Sequence, residues 1–130
     1  MEEPGLALGI DIGGTNTAFG IVDHKGNIIF EGVTPTRSHE RPESLADFIF
    51  DALKNHSFQE QLIGIGIGAP NGNHFTGNIE FAPNLHWKGI IPMAKIFTEK
   101  FNKKTIMTND ANAAAVGEML FGAAIGLRNF

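Results

Sequence analysis

Apolar residues alternate with small or polar ones at the start of the chain, over residues 6–12 (LALGIDI). A spacing of two predicts a half-buried strand whose apolar face carries Leu6, Leu8, Ile10 and Ile12. Gly13 and Gly14 follow, and a second apolar run covers residues 18–22. The pattern therefore predicts a β-hairpin, in which a tight Gly-Gly turn joins two antiparallel strands.

After this hairpin the period of the apolar residues changes between two and 3.6. A turn at 23–27 leads into a third strand at 28–33, antiparallel to its neighbour because the loop is short. A helix is predicted from Pro42 to about Asn55, with an apolar stripe made of Leu45, Phe48, Ile49 and Leu53. A fourth strand is predicted at 62–68 (LIGIGIG), where alternating glycines let a helix or another backbone lie close.

The rest of the chain alternates between helical and extended patterns. A loop and a short extended piece at 79–81 precede a second helix, which opens at Pro92 and turns Ile96, Phe97 and Phe101 inward. The remaining predicted segments are a fifth strand at 105–108, a third helix from Asn109 and Asp110 through 121, and an aperiodic end at 122–130. The predicted fold class is α/β, a mixed five-stranded sheet with helices on both faces.

Composition narrows the possible functions. The 130 residues are 42% hydrophobic, enough for one core, and the net charge of −4 with interspersed acids and bases provides no basic patch for nucleic acid. Cysteine is absent, which excludes disulfides and thiolate metal sites. The longest apolar run is too short to cross a bilayer, and the acidic N-terminus is unlike a signal peptide. These features predict a soluble, cytoplasmic protein that binds neither nucleic acid nor membrane.

The Gly-Gly turn is the first candidate for chemistry. Without side chains at Gly13 and Gly14, backbone N–H groups can approach an anion closely. The hydroxyls of Thr15 and Thr17 add donors, and the Asp11 carboxylate is placed to hold a hydrated divalent metal. The alternative, on this segment alone, is an ordinary hairpin with an acid beside it.

Asp110 is the second candidate. Asn109 and Asp110 could cap the third helix, where a carboxylate is favourable by a few tenths to about 1 kcal/mol. Glu118 lies roughly 80° around the helix from Asp110, so the two cannot act as a paired acid and base. Asp11 ends the first strand and Asp110 follows the fifth, so both can lie at the edge where open α/β sheets bind ligands.

Two other motifs do not support a function. Residues 64–69 (GIGIGA) fit the dinucleotide-binding pattern, but the glycines lie inside the strand and no helix follows them. A Walker phosphate loop is absent from the sequence. The five histidines have no metal-ligand spacing and are expected mostly in exposed loops.

Three strings resemble a known family. Residues 9–17 (GIDIGGTNT) are similar to the first phosphate loop of the hexokinase, actin and heat-shock-chaperone ATPase superfamily. Residues 82–87 (APNLHW) and 109–118 (NDANAAAVGE) resemble sugar-side motifs of the ROK family of repressors, open reading frames and kinases. The resemblance covers nearly the whole chain in the family's order and implies a ribonuclease-H-like lobe of the actin-like ATPase type.

The resemblance also implies roles for individual residues. ATP phosphates and Mg²⁺ are expected at Asp11, Gly13, Gly14, Thr15, Asn16 and Thr17, with Asp11 supporting the metal and no other metal in this chain. The sugar is expected at Asn71, Gly72, Asn84, Asn109 and Asp110. Asp110 is expected to be the general base.

The implied activity is ATP-dependent phosphorylation of a hexose hydroxyl, as in a glucokinase, with glucose as the favoured substrate. Residues 1–130 would form the N-terminal lobe, because the family's second phosphate loop, zinc motif and adenosine-binding segment have no counterpart here. The C-terminal lobe would then be missing, and the isolated N-terminal lobe would be inactive. The complete two-lobed protein is compatible with a homodimer. The alternatives are a sugar-responsive repressor, disfavoured because eight residues precede Gly9, and a non-catalytic sugar-binding module.

Overall fold

The computed structural model describes residues 5–56, 58–109 and 111–128, with the side chains of 123–128 excepted. The strands are β1 (Leu6–Ile12), β2 (Asn16–Asp23), β3 (Ile28–Pro35), β4 (Leu62–Gly68), β5 (Ile79–Glu80), β6 (Ile90–Ile91) and β7 (Thr105–Thr108). The α-helices are α1 (Pro42–Lys54), α2 (Met93–Phe101) and α3 (Ala113–Arg128). Short 3₁₀ turns cover Thr36–Ser38 and Phe58–Gln61.

The main sheet has five strands in the order β3-β2-β1-β4-β7. The first three are antiparallel, as the short loops predict, whereas β1, β4 and β7 are parallel. The predicted mixed five-stranded sheet is therefore confirmed. Strands β5 and β6 pair separately as a small antiparallel ribbon.

One face of the sheet is apolar and packs against α1 and α2. Leu8, Ile10 and Ile12 of β1 are fully buried here, beside Ile65 and Ile67 of β4. The helices contribute the buried side chains Leu45, Ile49, Leu53, Met93, Phe97 and Phe101 to this core. Each fully buried Leu or Ile contributes roughly 1.5–3 kcal/mol relative to exposure, so this face holds most of the stabilising burial.

The opposite face carries mostly small residues along β1 and β4 and is covered by α3. A methyl group added to Gly66 would overlap the carbonyl oxygen of Val116, and one on Gly9 would overlap that of Ala113. At the end of β4, a methyl group on Gly68 would lie 2.6 Å from the Ala111 carbonyl oxygen. The alternating glycines of β4 therefore allow a helix to lie directly on the sheet, which confirms the close approach predicted from the sequence.

Helix α3 differs from the prediction at both ends. It begins at Ala113, because the Asn112 side chain accepts a hydrogen bond from the Ala115 N–H (2.8 Å) and so caps the helix. Asn109 follows β7 directly and lies before this cap, so its predicted capping role is wrong. The helix also continues through 122–128, where the sequence pattern predicted no regular structure.

The structure also tests the predicted positions of Phe48 and of the glycines at 64–68. Phe48 lies on the predicted stripe of α1 but is 42% exposed, and its ring packs against Phe19 and His39. The dinucleotide-like glycines lie within β4 and are followed by a loop, which confirms that the pattern has a packing role. Within the described ranges, no helix combines the length and apolarity needed to cross a membrane.

Candidate functional site

The parallel strands bring Asp11 and the end of β7 to one edge of the sheet. Asp11 is in register with Gly68 of β4, and Gly68 is in register with Thr108 of β7. Two strand spacings of about 4.8 Å separate Asp11 from Thr108, or about 10 Å. Exposed Asn109 follows Thr108 directly. Asp110, the expected base, lies outside the described residues.

The Gly13–Thr15 turn connects β1 to β2 beside half-buried Asp11. The Gly13 N–H donates to the Asn16 carbonyl (3.0 Å), so it closes the turn. Within the described part of the chain, the N–H groups of Gly14 and Thr15 donate to no protein acceptor. Thr15 and Asn16 are exposed. The anion-binding capacity of the turn therefore resides in Gly14, Thr15 and Asn16 more than in Gly13.

Thr17 lies behind the turn. Its side chain is fully buried, and its hydroxyl lies 2.8 Å from that of Thr36, which is equally buried. The Thr36 hydroxyl donates to the Gly13 carbonyl (2.7 Å), so Thr17 is the donor in the Thr17–Thr36 hydrogen bond. The expectation that Thr17 offers its hydroxyl to a phosphate does not fit this position, because burial and the bond to Thr36 occupy that hydroxyl.

The segment 82–87 covers the turn from the other side. A methyl group on Gly14 would lie 2.7 Å from the Asn84 carbonyl oxygen, so glycine is needed there for space. Neither Gly13 nor Gly14 has a positive φ. Close packing therefore joins a predicted phosphate residue, Gly14, to a predicted sugar residue, Asn84, whose side chain is exposed.

His39 anchors this segment. Its carbonyl oxygen accepts hydrogen bonds from His86 Nε2 (2.7 Å) and Trp87 Nε1 (3.0 Å). Its own Nε2 lies 2.8 Å from the Thr34 hydroxyl. Burial lowers the pKa of His39 below its ordinary value of 6.5, and charge repulsion from His86 adds to this effect. His39 is therefore a buried structural residue, whereas most histidines were expected in exposed loops.

Asn71 and Gly72 lie in the loop after β4. The Asn71 side chain donates to the carbonyls of Glu80 (3.0 Å) and Phe81 (3.1 Å), so its amide group fixes the loop onto β5. A methyl group on Gly72 would lie 2.6 Å from the Thr108 carbonyl oxygen, at the end of β7. Asn71 and Gly72 also border an open depression of about 480 Å³. The structure thus places both residues near the edge that carries Asn109.

The donor set fits a magnesium ion that is carried with a phosphate substrate. Within the described residues, no group of three or more His, Cys, Asp or Glu side chains could hold a metal alone. Mg²⁺ commonly takes one or two carboxylates together with substrate phosphates and water. Asp11, beside the Gly13–Thr15 turn, is the carboxylate that such a site would use.

The sequence did not reveal Thr36 and His39 as parts of this site. Thr36 is 23 residues from Gly13 in the chain, and His39 is 47 residues from His86. The one local signal is polar residues that end a strand, in TPTRSH at 34–39, which equally fits an exposed connection. The antiparallel register of β2 and β3 brings Thr36 beside the turn, whereas His39 is brought to the 82–87 segment by its contacts with His86 and Trp87.

Known proteins resemble this chain over nearly its whole length. The ROK family profile matches residues 7–130. A glucokinase of Streptomyces coelicolor is 37% identical over 126 residues, covering 96% of this chain, and a xylose repressor of Bacillus spizizenii is 34% identical over 130 residues, covering 95%. This chain covers 39% and 33% of those two proteins, respectively, so it spans well under half the length of either.

A solved structure agrees with the sequence relatives. The ROK family glucokinase of Streptomyces griseus, crystallised with glucose and AMPPNP, superposes with a TM-score of 0.68 at 34% identity. The match covers 92% of this chain and 38% of that one. On the combined evidence of profile, relatives and fold, the chain belongs to the ROK family.

Proposed function

We propose that this chain is the N-terminal lobe of an ATP-dependent hexose kinase of the glucokinase type. The observation that carries the proposal is the open Gly13–Thr15 turn, which shares a sheet edge with the end of β7, two residues before Asp110. The glucokinase relatives and the glucose and AMPPNP complex of the Streptomyces griseus protein support both ligands. Glucose is the favoured substrate.

The proposed reaction transfers the terminal phosphoryl group of ATP to a sugar hydroxyl. The hydroxyl oxygen bonds to phosphorus as the bond to the ADP oxygen breaks, and Asp110 takes the hydroxyl proton. Such transfers depend mainly on positioning and charge stabilisation. The N–H groups of Gly14 and Thr15 would bind the phosphates, while Asn84 and Asn109 would orient the sugar. Mg²⁺, held by Asp11, would neutralise phosphate charge.

An aspartate carboxylate is a weak base toward an alcohol. Proton transfer late in the reaction makes it sufficient, because the hydroxyl becomes acidic as the bond to phosphorus forms. The cap of α3 bears on whether Asp110 has a structural role. Since Asn112 caps this helix, Asp110 is not needed for that purpose.

A pair of substitutions in the complete kinase tests the proposal. Asp110→Asn keeps the side-chain shape and removes the proton acceptor, so kcat for glucose should fall by roughly 10²–10⁴ with little change in melting temperature. The matched control, Asn112→Ala, removes the cap and should cost about 1 kcal/mol of stability while kcat stays within about twofold. An Asp110→Asn variant that keeps more than about a tenth of kcat would refute the assignment.

A sugar-responsive repressor is the second candidate, because xylose repressors are among the relatives at 34% identity. The net charge of −4 argues against direct contact between this chain and DNA. We expect no shift of duplex DNA in a gel at physiological salt. A salt-sensitive shift at nanomolar protein would favour the repressor.

A further inference from the structure

We propose that Thr36 is a positioning residue for the phosphate-binding turn, an inference that rests on the proposed kinase function. Thr36 begins the 3₁₀ turn after β3 and is fully buried, so it cannot touch a substrate. It makes two hydrogen bonds to the turn. Its hydroxyl donates to the Gly13 carbonyl (2.7 Å), and its backbone N–H donates to the Thr15 carbonyl (2.9 Å).

These bonds fix both ends of the Gly13–Thr15 turn from its buried side. The Gly13 carbonyl shares a peptide plane with the Gly14 N–H, so the bond from Thr36 fixes the direction of that N–H. The plane that carries the Thr15 N–H lies between this one and the Thr15–Asn16 plane, whose carbonyl is also held by Thr36, so it has little freedom to rotate. Donors that are fixed before the ligand arrives need no reordering at the moment of reaction. Thr36 therefore acts on phosphate binding through the turn.

The Thr36 hydroxyl is also the centre of a chain of hydrogen bonds. Thr17 donates to it and it donates to Gly13, so its one proton and one of its lone pairs are used. Removing this oxygen would leave the half-buried Gly13 carbonyl and the buried Thr17 hydroxyl without these partners. A polar group that loses its partner away from water is destabilised, and the turn can restore a partner only by moving.

The test compares three variants of the complete kinase. Thr36→Val keeps the shape and loses the oxygen; we expect KM for ATP to rise about tenfold while KM for glucose stays within about twofold. Thr36→Ser keeps the oxygen and should restore KM for ATP to near the wild-type value. Thr34→Val removes another buried threonine hydroxyl, bonded to His39 and not to the turn, and should leave KM for ATP unchanged.

Each outcome bears on the proposal. An unchanged KM for ATP in Thr36→Val, an equal rise in both KM values, or a matching rise in Thr34→Val would overturn it. If Thr36→Val does not fold, the proposal is tested by Thr36→Ser, which keeps the hydroxyl. A folded Thr36→Ser variant with a raised KM for ATP would also overturn the proposal. A wild-type protein without kinase activity would instead refute the proposed function, and that result is read before any variant is made.

Discussion

Gly13 and Gly14 are adjacent, but the structure gives them different neighbours. A methyl group on Gly13 would lie 2.9 Å from the Asn16 carbonyl oxygen, within the turn itself. A methyl group on Gly14 would instead press on the backbone of Asn84, 2.7 Å away. Gly14 is therefore the residue through which the proposed phosphate and sugar sites touch.

This difference predicts two kinetic signatures in the complete kinase. Gly13→Ala should raise KM for ATP alone, whereas Gly14→Ala should raise KM for both ATP and glucose, each by roughly tenfold for about 1.4 kcal/mol of lost binding. Steady-state kinetics with each substrate varied in turn measures both values. A Gly14→Ala variant that changes only KM for ATP would show that the contact with Asn84 is not transmitted to the sugar.

His39 predicts a dependence of stability on pH. Because burial lowers its pKa, the folded state favours the neutral ring and the unfolded state binds more protons. The contribution of His39 is therefore complete above the ordinary value of 6.5 and is lost as the pH falls from 6.5 through the lowered folded pKa. Urea unfolding should show lower stability at pH 5.5 than at pH 7.5, and His39→Gln should reduce that difference.

The control for this prediction is His24→Gln, which alters an exposed histidine in the turn after β2. We expect this variant to keep the pH dependence of the wild type. Equal pH dependence in the wild type and His39→Gln would contradict the assignment to His39. Glutamine can still bond to the Thr34 hydroxyl, so the comparison isolates the charge of the ring.

At the scale of elements, the contact between α3 and the sheet depends on glycine in β4. Gly66→Ala would place a methyl group against the Val116 carbonyl, so α3 must shift. We expect a loss of about 3 kcal/mol in the free energy of unfolding, the upper part of the range for overpacking. Gly122→Ala is the matched control, because a methyl group there meets nothing within 4 Å, and helix propensity predicts a gain of up to about 1 kcal/mol.

Equilibrium urea unfolding of both variants measures this difference. A Gly66→Ala variant as stable as the wild type would mean that α3 is not seated on β4 as the structure shows. The m-value provides a further check, since a detached helix would expose more surface before global unfolding.

The strands were predictable because their signals are local. Alternating apolar residues and short polar turns define β1 to β4, and the glycines of β4 indicated a close neighbour without identifying α3. The start of α3 was not predictable, because Asn109, Asp110 and Asn112 all suit a helix cap. The choice of Asn112 depends on the path from β7 across Gly68, where the Ala111 backbone packs.

The candidate site likewise contains a part with a local sequence signal and a part that depends on long-range contacts. The Gly-Gly turn and its aspartate are contiguous in sequence, so a motif could identify them. Thr36 braces that turn by bonding to Gly13, which lies 23 positions away in the chain. His39 braces the 82–87 segment by bonding to His86, which lies 47 positions away. The periodicity of apolar residues does not indicate such pairs. Asn71 differs in the other direction, because it was predicted to bind the sugar and its side-chain amide instead donates to the carbonyls of Glu80 and Phe81 in its own loop.

At the scale of the molecule, the proposed site is open on one side. Thr15, Asn16, Asn71, Asn84 and Asn109 are all exposed. Phosphoryl transfer to a sugar in preference to water requires a site that excludes water and holds both substrates in line. An open sheet edge does neither, and the chain spans 39% of the Streptomyces coelicolor glucokinase.

We therefore expect the 130-residue chain alone to produce no ADP above background from glucose and Mg-ATP in a coupled assay. The complete Streptomyces coelicolor glucokinase provides the positive control, and circular dichroism of the chain verifies that it is folded. Any slow signal must be compared with Asp110→Asn of the same length, which separates contaminating kinase from turnover by the chain. Turnover that Asp110→Asn abolishes would show that this lobe suffices for catalysis and would refute the argument that a second lobe must close the site.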